Sequence, residues 1–550
     1  MRRVSTSQPA PVQNSFTTTA LSLGLLFAVI LCLATKGMLN ENTIRMNGDM
    51  PRHLMNGALI LDLLRNLPVT DPLWYLSHYY ASYPAISLGF HPPLLPLAEA
   101  PFFALFGVSI FSGRVVMIVF LLIGVIAWFK LISLVYDQKT AFLSSLLMVT
   151  NPYLIDQSRM VMTDVPALAM VILTTYLLVL FCANCRRAYG GGFLLAFLFS
   201  ILARPQTLFM VPVYLLYLAM KRRGQPLLPL LVSPPVVLTG VCIAAVAAAF
   251  IRLGTHNVQW LTHGSALSHI TSHNLLYPLI CLGKYHVGMP VLAVALVSLT
   301  SGWFKKDERL TLFLAWLVCT YLQAVYLGPS EARYSFYWLP PLCLLVALTA
   351  GANSNRIRTA AIMIILLLSG QQFRSAMAMD PPVTGGYLEA ARYVTGELAG
   401  STVLYCSSRD TGYLCFFARS LAPRRTTLIL RADKILATAS FNRIVNEKIS
   451  TKEELYATLK KLGITHVVMD GREFNSRSLT LLKNEVFSDK FRLVQSIRRH
   501  SAGSSAGSDI TIHEFTGHTP PEQGARLCMA LPLVSHTINV SLDDLRAFRP

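Results

Sequence analysis

The sequence predicts a polytopic α-helical membrane protein with a small α/β domain after its last span, on three observations. Apolar stretches recur between residues 20 and 371, near the roughly 20 residues that carry a helix across a bilayer. Only 14% of the 550 residues are charged while 53% are hydrophobic, against about 25% charged in a soluble globular chain. Mean hydropathy is +0.50, so much apolar surface has to face something other than water. From about residue 380 the apolar runs shorten and alternate between strand-like and helix-like periods.

Spans are expected at about 20–38, 112–135, 140–154, 163–182, 190–204, 205–220, 227–251, 285–303, 309–327, 334–350 and 356–371, about eleven in all. Pro205, Pro229, Pro234 and Pro235 mark ends or kinks, which membrane helices tolerate. Residues 1–19 form a cytoplasmic N-terminus, 39–111 a large first outer loop, 380–515 the extracytoplasmic α/β domain and 516–550 a poorly ordered tail. The segment after Arg2 and Arg3 lacks a small-residue cleavage site, so the first span is expected to stay on the chain. Leu31 before Cys32 is unlike a lipoprotein site.

The net charge of +19 is a topology signal rather than a nucleic-acid signal. Lys139, Arg186, Arg187, Lys221, Arg222, Arg223, Lys305, Lys306, Arg309, Arg356 and Arg358 fall in the alternate loops that lie inside if the N-terminus is inside. They outnumber Arg159, Arg204, Arg252, Lys284 and Arg333 in the later outer loops, the positive-inside pattern. An odd number of spans then puts the C-terminal region outside. Leu94–Phe106, broken by Pro96, Glu99 and Pro101, is expected to lie at the interface, because counting it as a crossing would put the basic loops outside. Residues 51–66 carry Leu54, Ala58, Leu61 and Leu64 on one face, which suits the membrane surface.

Past residue 380, Val403–Cys406 and Thr427–Leu430 read as buried strands. Lys452–Leu462 reads as a helix leading into the strand Thr465–Met469, and Leu493–Ile497 and Ile510–Phe515 as late strands. Ser501–Ser508 reads as a Gly/Ser loop. Most cysteines stand singly in apolar spans. Cys182 and Cys185 lack the second pair that a zinc or redox site needs, and Cys406 and Cys415 have the chance of a disulfide if their region is exported.

Ionisable groups are costly at mid-bilayer, so those kept at span ends are the first candidates for chemistry. They gather on the expected outer side: Asp49, Arg52 and His53 after the first span, His91-Pro92-Pro93 before the interfacial helix, and Asp156, Arg159 and Asp164 around the fourth span. Arg204 stands at one outer turn and Glu331-Ala332-Arg333-Tyr334 at another. His256, His263, His269, His273 and His286 share an outer loop. His269 and His273 have the i,i+4 spacing of two metal ligands, but no H-E-x-x-H accompanies them. There is no phosphate loop, dinucleotide fingerprint or serine nucleophile elbow.

Gly48-Asp49 with Arg52, His91-Pro92-Pro93-Leu94, Phe106-Gly107 with Arg114, Asp164, and Arg333-Tyr334 running into Leu339-Pro340-Pro341 occur in that order over about 20–371. In this the chain resembles the GT-C superfamily of integral-membrane glycosyltransferases, especially the bacterial branch of aminoarabinose and protein O-mannosyl transferases. The resemblance implies transfer, of the inverting kind, from a polyprenyl-phosphate sugar to a lipid, glycan or protein acceptor outside a bacterial inner membrane. It casts Asp49 as general base or orienter of the acceptor hydroxyl. Asp164 becomes a second acid that assists the acceptor or helps to hold a divalent cation. Arg333, Arg204 and Arg159, in that order, suit the leaving phosphate, because guanidinium neutralises and grips phosphate oxygens. His91, Arg52 and His53 are further substrate contacts. Relatives often carry a second acid after the first-loop Asp and an aromatic near position 53, where this chain has Met50 and His53. That leaves the metal open.

Plainer roles compete. Asp49 and Asp164 are placed to cap helices, Arg333 to pair with Glu331, and Arg159 to snorkel. At the level of the whole chain, the rivals are a secondary transporter, which usually shows inverted repeats absent here, and an inactive glycan-assembly scaffold.

Overall fold

The computed structural model describes residues 16–42, 44, 49–87, 90–221, 234–253, 271–300, 307–328, 331–407, 412–439, 445–471, 474, 476–499, 509–531 and 536–550. Asn47, Gly48, Arg222, Arg223, Pro229, Lys305, Lys306, His256, His263, His269 and the loop Ser501–Ser508 lie outside the described residues.

The first ten helices are α1 (Phe16–Ala34), α2 (Met50–Asn66), α3 (Pro72–Ser82), α4 (Leu94–Phe106), α5 (Ile110–Val135), α6 (Gln138–Val149), α7 (Pro152–Ser158), α8 (Asp164–Asn184), α9 (Arg187–Ala203) and α10 (Val211–Lys221). Helices Pro234–Leu253, Ser272–Cys281, Met289–Thr300, Leu310–Leu327, Leu339–Leu348 and Asn355–Ala378 follow. Among the described residues, α1, α5, α8, Leu310–Leu327 and Asn355–Ala378 are long and apolar enough to cross a membrane. Ser272–His286 and Met289–Thr300, bent by 116°, make a sixth if taken as one broken span. Expected spans such as 140–154 and 190–204 coincide with the shorter helices α6 and α9.

Local sequence sets the helix starts. Ser109 caps α5 and Asp137 caps α6, each side chain accepting a backbone N–H of the first turn. Gly124 of α5 lies against Ala169 of α8, where an added Cβ would meet the Ala169 Cα at 3.1 Å, so these two helices pack backbone to backbone.

α2 departs from expectation. It is buried almost all round, including His53, Asn56 and Asp62, instead of lying on the membrane surface with one wet face. Of the stripe read from sequence, Leu54, Ala58 and Leu61 are buried while Leu64 is exposed. Gly57 is the reason α4 can approach: a Cβ there would stand 2.8 Å from both the Glu99 Cβ and the Phe103 ring. On its other side α2 meets the C-terminal region, where Gly412 abuts Pro51. Asp62 is held there by a bidentate salt bridge to Arg419, with Nη2–Oδ1 at 2.6 Å and Nε–Oδ2 at 3.0 Å.

The C-terminal residues build a five-stranded sheet in the order β2-β1-β5-β7-β6, from β1 (Thr402–Ser407), β2 (Leu428–Arg431), β5 (His466–Asp470), β6 (Phe491–Ile497) and β7 (Ile510–Phe515), while β3 (Ala437–Ala439) and β4 (Val445–Glu447) pair with each other. β1, β2 and β5 run parallel, and β7 runs antiparallel to β5 and β6. Helix Lys452–Lys461 opens with a Thr451/Glu454 capping box. β1 is buried on both faces because its side chains alternate between two cores. Val403 and Tyr405 join the core shared with the helical body, while Leu404 and Cys406 face Leu455 and Leu459.

The tail also differs from expectation. β8 (Arg526–Leu531) pairs with β9 (His536–Ser541), and helix Leu542–Ala547 follows. Phe548 then packs its ring against Trp74, Tyr75 and His78 of α3. Cys406 and Cys415 are both buried as thiols and are not joined in a disulfide.

Candidate functional site

Asp49 stands at the N-terminus of α2, where Pro51 presets the first turn. Its side chain makes no capping hydrogen bond, so the carboxylate turns to other partners. Oδ2 accepts from Arg333 Nη2 at 3.0 Å. Oδ1 lies 3.7 Å from Arg52 Nη1 and 3.8 Å from His91 Nε2.

Asp164 opens α8 and is fully buried. Its Oδ1 is bound by Arg204, and its Oδ2 lies 3.7 Å from Arg333 Nη1. Arg204 is extended, at φ −161° and ψ 114°, because Pro205 behind it disfavours another helical residue. That break aims its guanidinium at Asp164 and over the Tyr334 ring, 4.5 Å from the centroid. Arg333 sits in a 3-10 turn, Ala332–Tyr334, with Nε 2.6 Å from Glu331. One guanidinium therefore joins both acids predicted from sequence.

His53 and His91 close the other side. Their ring centroids are 4.3 Å apart. Burial pushes the His53 imidazole down to about 4, against the pull of Asp49 and Asp164. Burial, with His53 beside it, likewise keeps His91 well below its ordinary value. Burial alone pushes the Asp49 carboxyl up, but His91 and Arg333 outweigh it and hold it well below the usual carboxylate range. Because His91 is neutral near pH 7, Arg333 is the charge that keeps Asp49 ionised there.

Residues 90–251 match the family described as dolichyl-phosphate-mannose-protein mannosyltransferase. No curated protein matches the chain. Solved structures do. ArnT from Cupriavidus metallidurans bound to undecaprenyl phosphate superposes with a TM-score of 0.60 over 92% of this chain and 100% of that one, at 13% identity. The chain has the fold of the GT-C superfamily of membrane glycosyltransferases. The archaeal oligosaccharyltransferase AglB from Archaeoglobus fulgidus, in complex with an inhibitory peptide and a dolichol-phosphate, shares that GT-C fold at a TM-score of 0.51 and 12% identity, over 83% of this chain and 70% of its own. Arabinofuranosyltransferase AftD from Mycobacteria does so at 0.51 and 10% identity, over 95% of this chain and 41% of its own.

Of the residues read from sequence, the fold brings Asp49, Arg52, His53, His91, Asp164, Arg204 and Arg333 into one cluster. Arg159 stands apart from it. Its guanidinium donates to the carbonyls of Leu33, Ala376 and Met379, at 2.7 Å for the shortest, and so ties α1 to helix Asn355–Ala378. A phosphate ligand would find those donors occupied. Arg114 is a similar clamp, bonding the carbonyls of Arg159 and Gly37 at 3.1 Å each. His286 is enclosed by the Ala332 carbonyl and Trp338 Nε1.

The cluster does not fit a divalent cation. Arg333 already lies between the two carboxylates, and among the described residues no three His, Cys, Asp or Glu side chains come together as metal ligands. Sequence reasoning missed Asn56 and Ser87, which are buried behind His91. Their spacing was visible all the same: Asn56 stands three residues from His53 on α2, and Ser87 four residues from His91.

Proposed function

We propose that the chain transfers a sugar from a polyprenyl-phosphate donor to an acceptor hydroxyl on the extracytoplasmic side of the membrane. The observation that carries this reading is the position of Arg333, one cation facing two acids, Asp49 at 3.0 Å and Asp164 at 3.7 Å. The basic loops support an inside N-terminus, which puts the cluster and the C-terminal sheet outside.

In an inverting step the acceptor oxygen bonds to the anomeric carbon while the bond from that carbon to the phosphate oxygen breaks. Its electron pair leaves with the polyprenyl phosphate, and the acceptor proton passes to Asp49. Arg333, with Arg204 behind it, offsets the charge that builds on the leaving phosphate. Asp164 holds both arginines in place. A carboxylate held far below neutral pH is a weak base. A donor phosphate that draws Arg333 away from Asp49 raises the basicity of that carboxylate, so donor binding readies the base.

The test is transfer by purified protein in detergent, given a panel of radiolabelled polyprenyl-phosphate sugars and a membrane extract as acceptor, with Asp49→Asn alongside. Label moved by the wild type and not by the variant supports the reading and names the sugar. Folded protein that turns over no donor favours a transporter or a scaffold instead.

A further inference from the structure

His91 faces Asp49 through Nε2 at 3.8 Å, and what it can do there depends on which nitrogen holds its single proton in the neutral state. The groups behind the ring answer this. The Ser87 backbone N–H lies 3.0 Å from Asn56 Oδ1. A backbone N–H can only donate, so the Asn56 carbonyl oxygen has to face it, which fixes the amide's orientation. Asn56 Nδ2 then points at Ser87 Oγ, 3.2 Å away, and donates to it.

Ser87 Oγ is in turn 2.6 Å from His91 Nδ1. If Nδ1 carried the proton, Oγ would accept from both neighbours and its own hydrogen would have no acceptor among the described residues. Ser87 and Asn56 are buried, so that donor would be left unsatisfied out of reach of water. If Ser87 donates to Nδ1, the Ser87 hydroxyl hydrogen and His91 Nδ1 satisfy each other, and Oγ still accepts from Asn56 Nδ2. We infer that Asn56 and Ser87 are positioning residues that lock His91 as the Nε2–H tautomer, a hydrogen-bond donor aimed at the reaction centre rather than a second base.

The 3.8 Å gap to Asp49 is too long for a hydrogen bond. The Nε2–H is therefore free to donate to a ligand oxygen brought up beside the carboxylate. His53, Asp49, Arg52 and Arg333 are the titratable and charged groups that act on the ring. None of them offers Nδ1 an alternative partner. With His91 a fixed donor, Asp49 is the proton acceptor of this corner. The role of His91 in transfer rests on the function proposed above; the tautomer does not.

Nitrogen-15 NMR of the full-length protein with labelled histidine tests it, the His91 signals being assigned by their loss in His91→Gln. An unprotonated, pyridine-type Nδ1 and a protonated Nε2 at pH 7.5 are expected. Ser87→Ala should redistribute the proton between the two nitrogens, and Ser87→Thr should not. A protonated Nδ1 in the wild type overturns the inference, whether or not the protein transfers sugar. In the transfer assay, His91→Gln, whose amide can donate from near the Nε2 position, should keep at least tenfold more activity than His91→Asn. Equal loss in both, with the tautomer as expected, overturns the donor role alone. Failure of the proposed reaction appears separately, as no turnover by the wild type.

Discussion

Arg333 Nη2 donates to Asp49 Oδ2 at 3.0 Å, joining the turn Ala332–Tyr334 to a residue 284 positions earlier. The same guanidinium reaches Asp164 and Glu331. It is the one arginine of the cluster shared by both predicted acids.

Arg333→Ala is expected to lower kcat by about 100- to 1,000-fold, the usual effect of removing one group that stabilises developing charge. Arg333→Lys should rescue little, because a point charge cannot serve two carboxylates and a phosphate with a fork of donors. Asp49→Asn and Arg333→Ala combined should cost far less than the product of the single effects, since they act as one unit. Initial rates of label transfer at saturating donor measure all three. A multiplicative double variant would show that the two residues act independently.

The Asp164–Arg204 pair is buried, with side-chain exposures of 1% and 10%. Removing one partner of such a pair leaves an uncompensated charge, at roughly 3–5 kcal/mol. Asp164→Ala and Arg204→Ala should each lower the melting temperature measured in detergent at a fixed scan rate. Asp164→Asn paired with Arg204→Met should recover part of the loss. No recovery would mean that Arg204 is held by Tyr334 rather than by Asp164.

Much of this architecture is legible in sequence where local signals agree. Helix α8 starts within one residue of its expected place, because Asp164-Val165-Pro166 marks a helix start ahead of an unbroken apolar run. β1, β2 and β5 were readable because strands buried on both faces are continuous apolar runs. α2 was not, because α4 covers only one side of it, and the partners on the other, Gly412 and Arg419, come more than 300 residues later and leave no periodic trace. The hairpin β8–β9 and Phe548 were missed for a related reason: exposed Arg526, Cys528 and Asn539 alternate with the inward Leu527, Met529 and Val540 in too short a stretch. Within the site, the order of motifs named the residues. Only the fold could separate Arg333, which faces the acids, from Arg159, which binds carbonyls.

That separation predicts opposite phenotypes. Arg159→Ala strands carbonyls of α1 and of helix Asn355–Ala378 that it now satisfies, and should destabilise by roughly 2–3 kcal/mol. On the function proposed, binding of a polyprenyl phosphate, followed by its protection against thermal unfolding, should change by less than about twofold once the lower starting stability is taken into account. Arg333→Ala should weaken that protection at least tenfold in lipid concentration while moving the ligand-free melting temperature less. The reverse pattern would return Arg159 to the phosphate site.

The two histidines make stability depend on pH with a definite sign. His53 titrates at about 4 in the folded chain, below its ordinary 6.5. As pH falls below 6.5 the unfolded chain takes up a proton that the folded chain refuses until about pH 4, so acid favours unfolding. Stability from this group is fully present above pH 6.5 and declines toward pH 4, by about 3 kcal/mol. Melting temperatures taken from pH 7.5 to pH 4.5 should fall more steeply for the wild type than for His53→Gln, which has nothing to titrate in that window. Parallel curves would mean that protonation of His53 costs the folded state nothing, and that its ring is not sealed between α2 and His91.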